Sequence, residues 1–328
     1  MSQDDQNAPP VQDREKWELQ DARIAIRLLP GPVRMVEAYC KLLERNTQEV
    51  AFWGPLLSEV QRGDPNPGWG SATWYGNARQ DEPLDERMRL IAPKDEISIP
   101  SMPPGQYYPR IWRGRDSVQD PVLRVHVTPY FKSFIDSVEQ VEALFSELSS
   151  ISSVAHLDPQ NLTVYGSRIR QMIIVACTEF EAQCRGILKA NGCIKPRFNT
   201  TDYVALLEPL KLNEYSVRLS RYPNLQDLSP FKDWSNSQPS QSITWYENYN
   251  KVKHDREGNF NLGNLGCLLE CIAACWIMMA AQYGPQELRR YCRASDFQFV
   301  RVPEWGPSDW YFSPLSESWG WQSTPYQF

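Results

Sequence analysis

Apolar residues recur every three to four positions through the centre of the chain. Phe134, Val138, Val141, Leu144, Phe145 and Leu148 trace one face across 131–149, which predicts an amphipathic helix. Ile169, Ile173, Ala176, Phe180, Cys184 and Ile187 trace a second stripe across 163–189, and Asn191-Gly192 closes it. A third stretch, 262–283, is almost continuously apolar. Its strongest part, 267–281, is interrupted by Glu270 and falls short of the roughly 20 apolar residues a bilayer span needs. It predicts a buried bundle helix with no membrane partner. Shorter helices are expected at 200–207, capped from Thr200-Thr201-Asp202, and at 286–292. Phe297 to Val302 alternates apolar and polar like a strand.

The flanks read differently. Most of the 26 prolines fall before residue 130 and after residue 300, so the helical centre, 129–292, stands between irregular segments. Residues 1–13 read as a disordered lead-in. Residues 14–128 read as a mixed α/β region. In it, 15–29 and 33–60 are expected helices, the second supported by Val36, Tyr39, Cys40, Leu43 and Val50. Strands are expected at 96–99, 107–112 and 122–127. The tail, 293–328, carries Trp305, Trp310, Tyr311, Phe312, Trp319, Trp321, Tyr326 and Phe328. So many aromatics are expected to pack back on the body or to dock on a protein partner. The fold class that follows is mainly α: a helical bundle with a mixed α/β N-terminal region and an aromatic-rich tail.

Charge and cysteine usage narrow the chemistry. A net charge of -6 excludes a generally basic nucleic-acid surface while leaving room for a local basic site. Cys267, Cys271 and Cys275 recur every four residues along one helix, and Cys177 and Cys184 lie seven apart on another. That spacing suits small buried hydrophobes in a reducing cytoplasm better than disulfides or a metal site. No metal and no cofactor is expected. No Gly-rich phosphate loop leads to a Gly-Lys-Ser/Thr sequence.

The best chemical site lies just before the apolar helix. A helix starting near Trp245, capped by Ser240 or Ser242, places Asn250 and His254 one turn apart on one face, with Lys253 and Arg256 beside them. Histidine shuttles protons near neutral pH. On the 163–189 helix, Glu179 and Glu181 are adjacent but one, so they point differently and do not chelate as a pair. A structural reading has His254 hydrogen-bonded inside the bundle and Lys253 and Arg256 bridging to Glu179 and Glu181.

The run Tyr249-Asn250-Lys-Val-Lys253-His254-Asp-Arg256, followed by Phe260 and a long Ala-rich apolar helix, resembles the second signature helix pair of HEPN domains. The 163–189 helix, with Ala176-Cys-Thr-Glu179-Phe-Glu181, resembles their earlier acidic helix. The resemblance covers about 130–292. It implies an all-α bundle that often dimerises and, in many members, a metal-independent endoribonuclease of bacterial toxin or antiviral defence systems. His254, Asn250, Arg256, Lys253 and Glu179 would then be the site residues, with RNA, including tRNA, as substrate. Other members only bind nucleotides or proteins. The family's arginine position holds Tyr249 here, or Asn248 on the alternative spacing. Arg256, Lys253, Lys251, Arg168 or Arg185 would have to supply the missing cation, or a homodimer would have to pair two sites. The expectation is therefore an RNA-directed effector or, alternatively, a catalytically inactive binding or dimerisation module.

Overall fold

The computed structural model describes residues 22–29, 34–44, 47–55, 69–77, 97–98, 101–102, 105–113, 128–292, 296–311 and 321–328, with backbone alone up to residue 98. Two compact units divide the chain: 1–107 with 305–322, and 108–304 with 323–328.

The first unit holds a five-stranded antiparallel sheet. Its strands are β1 (Ala22–Leu29), β2 (Arg34–Glu44), β3 (Thr47–Pro55), β4 (Trp69–Asn77) and the short β5 (Ile97–Ser98), in the order β4-β3-β2-β1-β5. Ile24 pairs with Tyr39, Cys40 with Val50, and Val50 with Trp74. The two helices expected over 15–29 and 33–60 are therefore corrected: their described parts are strand. The reason is legible in β1, where Ala22, Ile24, Ile26 and Leu28 alternate with Arg23, Ala25, Arg27 and Leu29. That is a period of two, and the β-branched Ile24 and Ile26 favour it. In β2, Val36, Ala38, Cys40 and Leu42 repeat the same period. The strand expected at 96–99 is present as β5. The one expected at 107–112 shortens to β6 (Gln106–Tyr107), and the one at 122–127 lies outside the described residues. Part of the aromatic tail packs within this unit: Tyr107 meets Tyr311 and Trp321 edge-on, and Ser101 N–H donates to the Ser308 carbonyl.

The second unit is mainly helical. Its long elements are α1 (Phe131–Ser152), α2 (Ser167–Ala190), α4 (Thr244–His254) and α6 (Leu265–Tyr283). Single-turn α3 (Thr200–Tyr203) and α5 (Arg256–Asn259), then α7 (Pro285–Tyr291), complete the described α-helices. A small ribbon pairs β7 (Ser216–Leu219) with β8 (Phe297–Arg301), with Leu219 opposite Phe297.

Helix α6 is the axis of the unit. By length and composition it would pass for a membrane span, yet 89% of its apolar stretch is buried inside the protein. It packs chiefly on α2 and also against α1, α4 and α7. A helix apolar all round belongs in a core. Asn264 caps its start by accepting from Cys267 N–H at 3.0 Å. Gly284 ends it at φ 90°, where a Cβ would stand 2.8 Å from Trp112 Nε1, so the position requires glycine. Pro285 then opens α7.

Against α2, the ring of Phe180 is surrounded by Tyr203, Phe231, Trp234, Trp245 and Tyr246. These rings draw the 200–246 stretch onto the bundle and fix the N-terminal half of α4. The cysteines of α2 and α6 are free and buried among these helices, with the Cys177 and Cys271 sulfurs 3.6 Å apart. The chain's last residues return to the same unit. Tyr326 packs edge-on to Tyr108 at 5.0 Å, and its N–H donates to Asn191 Oδ1.

Candidate functional site

Helix α4 begins at Thr244 after Ile243, with no side-chain cap. Ser240 and Ser242 are used elsewhere: Ser240 donates to Thr200, and Ser242 accepts from Ser235 N–H. Aromatic burial replaces the expected serine cap, because Trp245, Tyr246 and Tyr249 are at most 4% exposed. Trp245 also anchors through its Nε1, which donates to the Pro230 carbonyl at 2.8 Å.

The buried face of α4 meets α2 through one carboxylate. Glu181 Oε1 accepts from Tyr246 Oη at 3.0 Å and from Tyr249 Oη at 3.3 Å, and Oε2 accepts from Arg185 at 3.3 Å. Arg185 also donates to Tyr203 Oη at 3.2 Å. Lys253 Nζ donates to Tyr249 Oη at 3.0 Å and stands over the same ring. Burial first, and then the Glu181 carboxylate, pushes the Tyr246 and Tyr249 hydroxyls far above the usual phenol range. Both phenols are therefore fixed as neutral donors to Glu181.

The exposed end of α4 carries the other expected residues. His254 is the last residue of the helix and is exposed, as are Lys253 and Arg256. Asn250 is half-buried one turn earlier. The side chains of Asn250, His254 and Arg256 make no hydrogen bond among the described residues. Lys251 pairs with Glu247 at 2.8 Å. After α4 the chain makes one further turn of helix, α5, capped by Asp255.

Glu179 lies away from this end. It accepts from Gln183 at 2.8 Å; Gln183 accepts from Gln282 at 3.2 Å, and Gln282 accepts from Arg110 Nε at 2.8 Å. The structure thus groups Asn250, Lys253, His254 and Arg256 at the end of α4 and separates Glu179 from them. The ion pairs from Lys253 and Arg256 to Glu179 and Glu181 do not form. Of the cations named as substitutes for the arginine, Arg168 pairs with Glu147 and Arg185 with Glu181.

Two residues were missed by the sequence reading. Arg170, from the first turns of α2, donates through Nε and Nη2 to the Val252 carbonyl at 3.3 and 3.2 Å. It brings a guanidinium to the C-terminal turn of α4, where unpaired carbonyls attract cations. No local pattern marks this contact, which spans 82 residues of sequence. The second is Glu270, visible earlier only as a break in an apolar run. One of its carboxylate oxygens, Oε2, is buried without a hydrogen-bond partner, and burial pushes its pKa up to about 7. Among the described residues, no group of three or more His, Cys, Asp or Glu is placed to hold a metal ion.

No protein-family model matches the chain, and neither the curated proteins nor the solved structures show a significant match to it.

Proposed function

We propose that the helical unit is a HEPN-like binding module that works within a protein assembly and does not cleave RNA. One observation carries this reading. Tyr249, at the position where the resembled motif has arginine, is 1% exposed and donates to Glu181. A buried phenol whose proton is committed to Glu181 is not free to donate to the extra negative charge of a phosphorane. The order of the helices and the chemistry of the 249–256 run support the HEPN-like assignment, which rests on that resemblance.

A second reading, a metal-independent endoribonuclease of a bacterial defence or toxin system, draws on the other end of α4. His254 is exposed there with Lys253 and Arg256 beside it, and Arg170 reaches the same helix through the Val252 carbonyl. Incubating labelled total RNA and tRNA in EDTA with wild type and His254→Ala separates the two. The binding-module reading expects no cleavage by either protein. Cleavage by wild type that disappears in His254→Ala overturns it in favour of the nuclease. Because such modules often pair, sizing at micromolar concentration is expected to give a homodimer, and a strict monomer counts against the assembly role.

A further inference from the structure

A cavity of about 580 Å³ opens between the start of α4, the start of α6, the 159–163 stretch and the 219–228 stretch. None of Asn250, Lys253, His254 or Arg256 lines it, so it is separate from the α4 end. Its size falls within the range of small-molecule sites.

The charges lining it are unusual. Glu270 and Asp227 both face the cavity, and no lysine, arginine or histidine does. Asp227 is already paired: Arg218 grips both of its oxygens, at 2.6 and 3.0 Å. Glu270 is not; its buried Oε2 has no donor. The rest of the wall combines neutral polar groups, among them Thr163, Asn248 and Asn264, with the apolar surfaces of Leu225 and Leu269. Glu270 is half-buried, with Oε2 closed off and neither oxygen hydrogen-bonded, so a donor that reaches its accessible oxygen from the cavity favours the ionised carboxylate. A wall without a cation repels phosphates, nucleotides and carboxylates and attracts a positive charge.

We propose that this cavity binds a small organic cation through a primary ammonium group that donates to Glu270, with the aliphatic or aromatic body of the ligand lying against the leucines. Ammonium suits the site because it supplies three donors on a compact charge, enough for Glu270 and a neighbouring amide such as Asn248 or Asn264. The proposal does not depend on the HEPN reading, because Glu270 is not a residue of the resembled site and Asn248, the alternative arginine position, enters only as a neutral amide.

Proton linkage gives the proposal a second signature. A cation beside Glu270 favours its ionised form, so binding below about pH 7 expels a proton from the carboxyl. The other groups facing Glu270 do not mask this. Asp227 is held by Arg218. The Cys267 thiol is kept protonated by its hydrogen bond with the Cys271 thiol and by burial. Thr244, Trp245 and Asn248 from α4 and Pro159, Leu162 and Thr163 from the facing stretch do not titrate.

The test is calorimetric titration of the full chain with putrescine and with tyramine, against the neutral controls butanol and tyrosol, at pH 6 and pH 8. Saturable binding of at least one amine is expected, tightening about tenfold from pH 6 to pH 8 as Glu270 ionises, with proton release measured by changing the buffer at pH 6. Glu270→Gln, which removes an unpaired buried charge and so keeps the fold, should weaken the amine about tenfold or more and abolish the proton release. The proposal is overturned if neither amine binds, if the neutral controls bind as well as the amines, or if Glu270→Gln binds like wild type. The RNA cleavage result bears on none of these outcomes.

Discussion

Glu181 and Glu270 are two acidic side chains set into the same helical unit with opposite fates. Glu181 is surrounded by donors: two tyrosine hydroxyls and an arginine. Removing one donor leaves part of that carboxylate unsatisfied. Tyr246→Phe is therefore expected to cost about 1–2 kcal/mol, read as a lowered Tm in thermal denaturation. An unchanged Tm would mean that the carboxylate is satisfied by water instead. Glu270 has only burial around it, and its pKa rises from the ordinary 4.5 to about 7. In that window the folded protein holds a proton that the unfolded chain has lost. The favourable contribution is complete below about pH 4.5 and is lost as pH rises through 7. A shift of this size corresponds to at most about 3 kcal/mol. Glu270→Gln should accordingly match wild type in Tm near pH 5 and exceed it by several degrees at pH 8. Equal pH profiles for the two proteins would show that Glu270 is solvated. A residue that lowers stability at neutral pH is the kind retained for binding.

At the scale of elements, the ends of α6 set what the sites look like. Asn264 starts the helix at the mouth of the cavity, and Gly284 stops it at φ 90° against Trp112. Asn264→Ala should lower stability by about 1 kcal/mol through the lost cap. Gly284→Ala should cost about 2 kcal/mol or more, since it adds both a strained φ and a Cβ contact with the indole. Denaturant melts of the two variants rank these effects, and the reverse order would mean that Trp112 moves aside easily. The long helices α1, α2 and α6 were legible in the sequence because each keeps one apolar stripe, or none of its faces polar, over five turns or more. The sheet was not. Residues such as Val36, Tyr39, Cys40 and Leu43 fit a helical period, while the alternation of Ala22, Ile24, Ile26 and Leu28 with Arg23 and Arg27 is what the backbone follows. The end of α4 was legible down to His254, since residues one turn apart on a helix must share a face. Arg170, the tyrosine grip on Glu181 and the cavity around Glu270 were not, because each depends on segments brought together from far apart in the chain.

At the scale of the whole helical unit, the cysteines report on how the core opens. Cys177 and Cys271 are fully buried between α2 and α6, the pair of helices with the most extensive contact. Burial pushes the Cys177 thiol up to about 11 and raises Cys271 well above its ordinary value. Alkylation requires the thiolate and an approach path, and the folded core denies both. Fraying of a terminal turn does not expose these sulfurs, because both lie beyond the first turn of their helices and α1 and α4 also pack on the central helix. Only separation of α2 from α6 exposes them, and that separation removes most of the hydrophobic core. Iodoacetamide at pH 8, with sites mapped by mass spectrometry, should therefore modify half-buried Cys193 well before Cys177 or Cys271. The denaturant concentration that admits labelling at these two should coincide with the loss of helical circular dichroism. Labelling of Cys271 below that transition would show that α6 detaches while the rest of the bundle persists, and that the cavity beside it opens with the same movement.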